Sequence, residues 1–266
     1  MHQHHHLFKR SLMKIRLAQN EAEIRIAQRL RHDVFMQECG AHAAGGNGLD
    51  ADKYDGVCAH LLVIEPEGAE TSPYRLCDGG LVATARLIGQ HEAEMLGGFY
   101  SAQEFDLTPL LQRQSHLKFL ELGRTCILKR ARGTAVVELM WQGIWNYVRA
   151  GGYDVMIGCA SFEGTDPDVH APALNLLAQH AKAPDEWQAR ALAPAGQPIP
   201  PVQGEAPDPK RVIAALPPLI KGYLRLGSYI GEGCVVDHGF NTVDVLIILP
   251  VKAINPRYFA RFGAPH

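Results

Sequence analysis

The chain has 266 residues, 47% hydrophobic and 20% charged, the proportions of a soluble globular protein able to bury a substantial core. A net charge of −2 gives no electrostatic reason to expect nucleic acid as a partner, and no apolar run approaches the ~20 residues of a membrane span. The six cysteines show no CxxC pair or other metal-ligand spacing, so they read as buried free thiols in a reducing cytoplasm, and no metal site is predicted. No secretory signal is visible. The opening Met-His-Gln-His-His-His reads as a tag or an irregular start, and its histidines are left out of any metal argument.

In chain order, residues 21–37 read as a helix with Asn20 as N-cap and Ile24, Ala27, Leu30, Val34 and Phe35 on its apolar face. Cys39 and Gly40 end it, and a glycine-rich loop follows at 45–48. Asp50, Asp52 and Asp55 then place three carboxylates within six residues. The EF-hand pattern is absent, so the group is either a solvated acidic turn or a functional cluster. Residues 59–65 and 81–88 read as the strands of a hairpin, and Arg86 lies in the second among apolar neighbours, where a charge needs a partner. Residues 97–101 form a loop, and 102–111 a short helix or loop.

Residues 117–147 organise the rest. A β-prone run from Phe119 to Leu128 carries Glu121 and Arg124, which are costly there unless paired or used. A basic turn, Arg130-Ala131-Arg132-Gly133, leads into a helix with Val136, Leu139, Met140, Ile144 and Tyr147 on one face. A helix start after such a turn is suited to bind an anion. Beyond it, residues 155–159 form a strand, 160–167 turn out of it, and 170–179 are helical. Residues 185–210 are proline-rich and read as a surface excursion. Helix resumes within 212–226, Gly231, Gly233, Asp237 and Gly239 mark turns, and 243–249 form the last strand. This order describes one mixed α/β domain with a central sheet.

With these residues in place the chain resembles the L-ornithine Nα-acyltransferases, the hemolysin-like branch of the GNAT superfamily that acts in ornithine lipid synthesis. The motifs are RHDVF (31–35), LDADKYD (49–55), HLLV (60–63), GGFYSAQEFDL (97–107), ELGRTC (121–126), LMWQGIWNYV (139–148), GCASFEGTDP (158–167), LPPLIKGYLRLG (216–227) and FNTVDVLIILP (240–250). The chain is more distantly similar to the acyl-homoserine-lactone synthases, through Arg31, Phe35, Asp50, Asp52, Asp55, Arg86, Glu121 and Arg124. The resemblance implies a GNAT-like fold, a central mixed sheet flanked by helices. Residues 1–13 would be a tag-like or disordered start, and 14–266 a single acyltransferase domain with the proline-rich excursion at about 185–210.

The implied activity moves a 3-hydroxyacyl chain from acyl carrier protein to the α-amine of L-ornithine, with no covalent enzyme intermediate and no tightly bound cofactor. The implied catalytic residues are Glu121 as base, Asp52 as second base or ammonium holder, and Arg124. Arg31, Phe35, Asp50, Asp55, Arg86 and Phe99 would bind substrate. Arg130, Arg132, Gly133 and Thr134 match the superfamily's pyrophosphate loop only in part, as a donor presenting a phosphopantetheine arm would allow. Phe99, Tyr100, Phe105, Trp141 and Trp145 are candidate walls for the acyl chain. The helix at 219–226, with Lys221 and Arg225, is a candidate for peripheral contact with the inner membrane by an otherwise cytoplasmic protein. Two alternatives stay open: another amino acid as acceptor (lysine, glutamine or glycine), or a non-catalytic protein that binds an acyl carrier or a membrane.

Overall fold

The structure is a computed structural model describing residues 13–42, 46–66, 72–205, 207–255 and 258. Residues 1–12 of the tag-like start, and 43–45 beside and within the glycine loop, lie outside these. The chain divides into two compact units, one formed by residues up to 88 with 122–151, the other by 89–121 with the residues from 152 onward.

In the first unit, strands β1 (Lys14–Leu17), β2 (Ala59–Glu65) and β3 (Gly79–Gly89) lie side by side and antiparallel, and β4 (Phe119–Ile127) borders β3. Helix α1 (Glu21–His32) begins where Asn20 accepts a hydrogen bond from the Glu23 N–H at 3.1 Å. It buries Ala27 and Leu30 against Leu62, Ile64 and Leu81. The single helix expected to Gln37 changes form after His32: Asp33–Glu38 is π-helical, a rare turn that accommodates one extra residue. Because side chains alternate along a strand, Leu61 faces the other way from Leu62. There it meets helix α2 (Thr134–Gly151), whose buried Val136, Met140, Ile144 and Val148 recur every fourth residue. Gly143 permits this approach, since a Cβ there would lie 2.4 Å from Ile15 Cδ1. Strand β1, at the opening of the part read from sequence as the acyltransferase domain, was missed because its four residues are too short to show a pattern.

In the second unit, Phe119–Glu121 of β4 pairs in parallel with the start of β5 (Val155–Glu163). Strand β5 pairs antiparallel along its whole length with β7 (Thr242–Pro250), and β7 pairs with β6 (Cys234–Asp237). Both β5 and β6 correct the sequence reading. Residues 160–163, expected to turn away, continue the strand because Thr242, Val243, Asp244 and Val245 supply partners. Cys234–Asp237, of which only Asp237 was expected as a turn, is a strand bordered by β7 and by the short strand Gly196–Gln197. The proline-rich excursion is tied to the fold: Arg190–Ala191 pairs with Phe105–Asp106, and Ala189 is buried. Helix α3 (Ala171–His180) follows β5, and the helix expected after the Pro217-Pro218 pair is α5 (Pro218–Leu226), preceded by a further helix, α4 (Pro209–Ala215). Proline at 217 and 218 breaks them, having no N–H to continue the ladder. The expected fold class, a mixed sheet with flanking helices, holds.

Gly79 opens β3 at φ +144°, with space for a Cβ blocked at 2.1 Å by the Glu65 carbonyl oxygen. Gly79→Ala is expected to lower unfolding free energy by about 2–4 kcal/mol, measured by urea denaturation, because neither backbone can yield.

Candidate active site

Three arginines and three aspartates meet inside the first unit. Arg31, on the last turn of α1, is 1% exposed. Its Nε donates to Asp50 at 2.8 Å, and its Nη2 to Asp55 at 2.9 Å and to the Asp50 carbonyl. Arg86 of β3 donates to Asp52 at 2.7 Å, lies 3.4 Å from Asp55, and stacks over the Tyr54 ring at 5.6 Å. Arg124 of β4 lies 3.2 Å from Asp50 and 3.5 Å from Asp52. The formal charges cancel, which is what permits so many ionised groups out of water.

The aspartates are held locally as well. Asp52 and Asp55 form a capping box around the turn Lys53–Gly56: Asp52 accepts from the Tyr54 N–H at 2.8 Å, and Asp55 from the Asp52 N–H at 3.0 Å. A solvated acidic turn is thereby excluded, since Asp50 and Asp55 are buried. Burial alone would raise the Asp55 carboxyl, but the charges of Arg31 and Arg86 and the Asp52 N–H outweigh it and hold it below its ordinary value. Two members went unnoticed in the sequence. Gln28 donates to Asp55 at 3.1 Å, and His60 Nε2 lies 3.0 Å from the Asp55 carbonyl, a contact in which the ring N–H donates. Burial lowers the His60 imidazole below its usual range, so it stays neutral. A histidine inside the apolar strand AHLLVIE was the available signal.

Arg124 has φ +48°, left-handed for a non-glycine residue inside a strand. Such a backbone costs on the order of 1–3 kcal/mol and persists only where surrounding contacts impose it. Asp50 and Asp52 are those contacts. Phe35 is half-buried against the cluster that contains Leu30, Val34 and Leu62.

The second unit holds Glu121, 2% exposed. Its carboxylate accepts from the N–H groups of Tyr100 and Ser101, each at 2.7 Å, and from the Ser101 hydroxyl. These donors belong to the turn Tyr100–Gln103, which buried Phe99 introduces. Cys159 continues the chain of contacts, its thiol lying 3.5 Å from Ser101 Oγ and donating to Glu104 at 3.1 Å. Burial keeps that thiol protonated, well above its usual pKa. Among the described residues, Glu104, Asp237 and Asp244 bring one carboxylate oxygen each within 4.8 Å of the others. Phe105 is buried in this unit, and Trp145 in the first.

The basic turn is occupied from within. Arg130 forms a two-toothed pair with Glu65, while Arg132 reaches Glu38 at 2.5 Å and the Ile127 carbonyl at 3.1 Å. Gly133 faces open space, and Thr134 opens α2.

Comparison with known proteins now bears on this arrangement. A model of the acetyltransferase (GNAT) domain matches residues 30–142. An L-ornithine Nα-acyltransferase of Rhizobium meliloti is 44% identical over 255 residues, covering 95% of this chain and 84% of the relative. The chain belongs to the L-ornithine Nα-acyltransferase family. The Brucella abortus member is 42% identical over 260 residues, covering 95% of this chain and 89% of its own length. Among solved structures, FeeM, an N-acyl amino acid synthase from uncultured soil microbes, matches with TM-score 0.50 at 11% identity, over 90% of this chain and 91% of that one. The acyl-homoserine-lactone synthase LasI matches with TM-score 0.50 at 13% identity, over 96% of both. Membership of the family makes the chain an acyltransferase, and these structures share its fold. No helix among the described residues is long and apolar enough to cross a membrane.

Arg31→Met takes from buried Asp50 and Asp55 a cation that Arg124 and Arg86 replace only in part, and is expected to cost about 3–5 kcal/mol in urea unfolding. Acid should weaken the fold in two stages. His60 has a lowered folded pKa, so its contribution is complete above about 6.5 and declines as pH falls below that. Asp55, also lowered, contributes fully above about 3.8 and declines below it. Asp55→Asn should flatten the lower stage in a pH series of melting temperatures and deepen the upper one, because the Asp55 charge raises the pKa of neighbouring His60.

Proposed function

We propose that the chain transfers a 3-hydroxyacyl group from acyl carrier protein to the α-amine of L-ornithine, the first step of ornithine lipid synthesis. Similarity over 95% of the chain to relatives named for ornithine acylation carries the reading. The chemistry follows from the acceptor. An α-amine is largely protonated at neutral pH and attacks a thioester only after losing that proton. Glu121 is the proposed base. A backbone N–H of β4 is the proposed donor to the oxyanion that forms as nitrogen adds to the carbonyl, and the thiol of the arm leaves as the intermediate collapses. Asp52 is the most exposed network aspartate, with a side chain 25% exposed, although its Oδ2 is enclosed and lies 3.5 Å from Arg124 Nη2. Its carboxylate is the one this reading assigns to the acceptor's ammonium. Arg130, Arg132, Gly133 and Thr134 are assigned to the phosphopantetheine arm. Peripheral membrane contact through α5 would fall to Lys221 and Arg225, because Ile220 and Tyr223 are buried in the fold.

Mass spectrometry of the protein incubated with 3-hydroxyacyl carrier protein and a pool of free amino acids is expected to show acylated ornithine. Another acylated amino acid would replace the acceptor and leave the mechanism. No product from an intact thioester would overturn the reading. Glu121→Gln is expected to cut turnover by about 10²–10⁴-fold. The amide also turns an NH2 toward the Tyr100 or Ser101 N–H, so its melting temperature is to be measured alongside. A loss of turnover no larger than the loss of folded protein would remove Glu121 from the chemistry.

A further inference from the structure

The two arginines of the basic turn stand differently. Arg130 pairs through two nitrogens with Glu65, whose side chain is only 8% exposed at the end of β2. That carboxylate lies close over the Gly80 backbone, where an added Cβ would come within 3.2 Å of Glu65 Oε1. Separating this pair would leave a charge buried alone. Arg132 is 45% exposed and meets Glu38, itself 31% exposed, through one nitrogen. An ion pair between two groups in water is weak and easily screened. Glu38 closes the π-helical turn that follows α1, and Arg132 immediately precedes Gly133 and the first turn of α2. The same guanidinium is anchored through Nε to the Ile127 carbonyl, so exchange of its acidic partner does not require the arginine to relocate.

We infer that Glu38 is an internal placeholder for the donor's anion. It holds Arg132 in position at the start of α2, and an anionic group on the incoming donor, phosphate or carboxylate, takes its place. Arg130 meanwhile stays on Glu65 as part of the fold. The inference rests on the proposed carrier-dependent activity and narrows its assignment of the basic turn: of the two arginines, Arg132 meets the donor and Arg130 is structural.

The test is the KM for 3-hydroxyacyl carrier protein in wild type, Glu38→Gln, Arg132→Gln and the double variant. Removing the competitor should lower KM by roughly two- to five-fold, and removing Arg132 should raise it by roughly ten-fold. In the Arg132→Gln background, Glu38→Gln should have no effect, because the residues it separates no longer meet. Acyl-phosphopantetheine locates the anion: the same gain with this fragment assigns the phosphate, and a gain confined to the whole carrier assigns carboxylates on its surface. Acyl-pantetheine, which has no anion, should be indifferent to Glu38→Gln. A KM unchanged or raised in Glu38→Gln, or a gain that persists without Arg132, overturns the placeholder and leaves the donor reading standing. No turnover of acyl carrier protein by the wild-type chain overturns both.

Discussion

A guanidinium as enclosed as that of Arg31 must find anions in the protein itself, and the first unit is arranged around meeting that demand. Asp50 and Asp55 answer it from a loop that would otherwise be acidic and solvated. Bringing them under α1 draws Asp52 in as well, through the capping box. The excess of negative charge then fixes the other two cations, Arg86 from β3 and Arg124 from β4. Gln28 and His60 close the remaining polar contacts on Asp55. One helix, one loop and three strands are thus held in register by electrostatics as much as by apolar packing. The strained backbone at Arg124 is tolerated on the same account.

Glu121 is held by hydrogen bonds from one turn. Two backbone N–H groups and a hydroxyl converge on it from residues 100 and 101. In the proposed mechanism those contacts orient the base before substrate arrives, so little reorganisation accompanies the reaction. They also explain why a carboxylate belongs on an apolar strand, since the turn at Tyr100–Gln103 depends on it.

How much of this could be read from the sequence depended on the range of each interaction. Hydrophobic periodicity revealed α1, α2, β2, β3, β4 and β7, whose burial patterns are regular. Charges in apolar strands marked Arg86, Glu121 and Arg124, because such placement is costly without partners. The ordered motifs gave the family. Short strands with distant partners were not legible: β6 is a strand because β7 and Gly196–Gln197 flank it, and four residues cannot announce that. Gln28 and Ser101 carry no sequence signal, as polar residues on a helix and a loop are commonplace. Nor could spacing show that Arg130 and Arg132, two residues apart, would face carboxylates of such different burial.

The first unit is interrupted in the chain: residues 89–121, which belong to the second, intervene before residue 122 resumes it. During synthesis Asp50, Asp52 and Asp55 therefore emerge with Arg31 and Arg86 soon available, while Arg124 lags by a wait on the order of seconds at ordinary translation rates. Until then the nascent cluster has one carboxylate too many for its cations, and hydration of that surplus charge opposes its burial. The last cation arrives on the strand that also delivers Glu121. Closure of the charge cluster on the ribosome is thus timed to the arrival of the strand with the proposed base, and a chain truncated before it would keep an open, hydrated acidic loop.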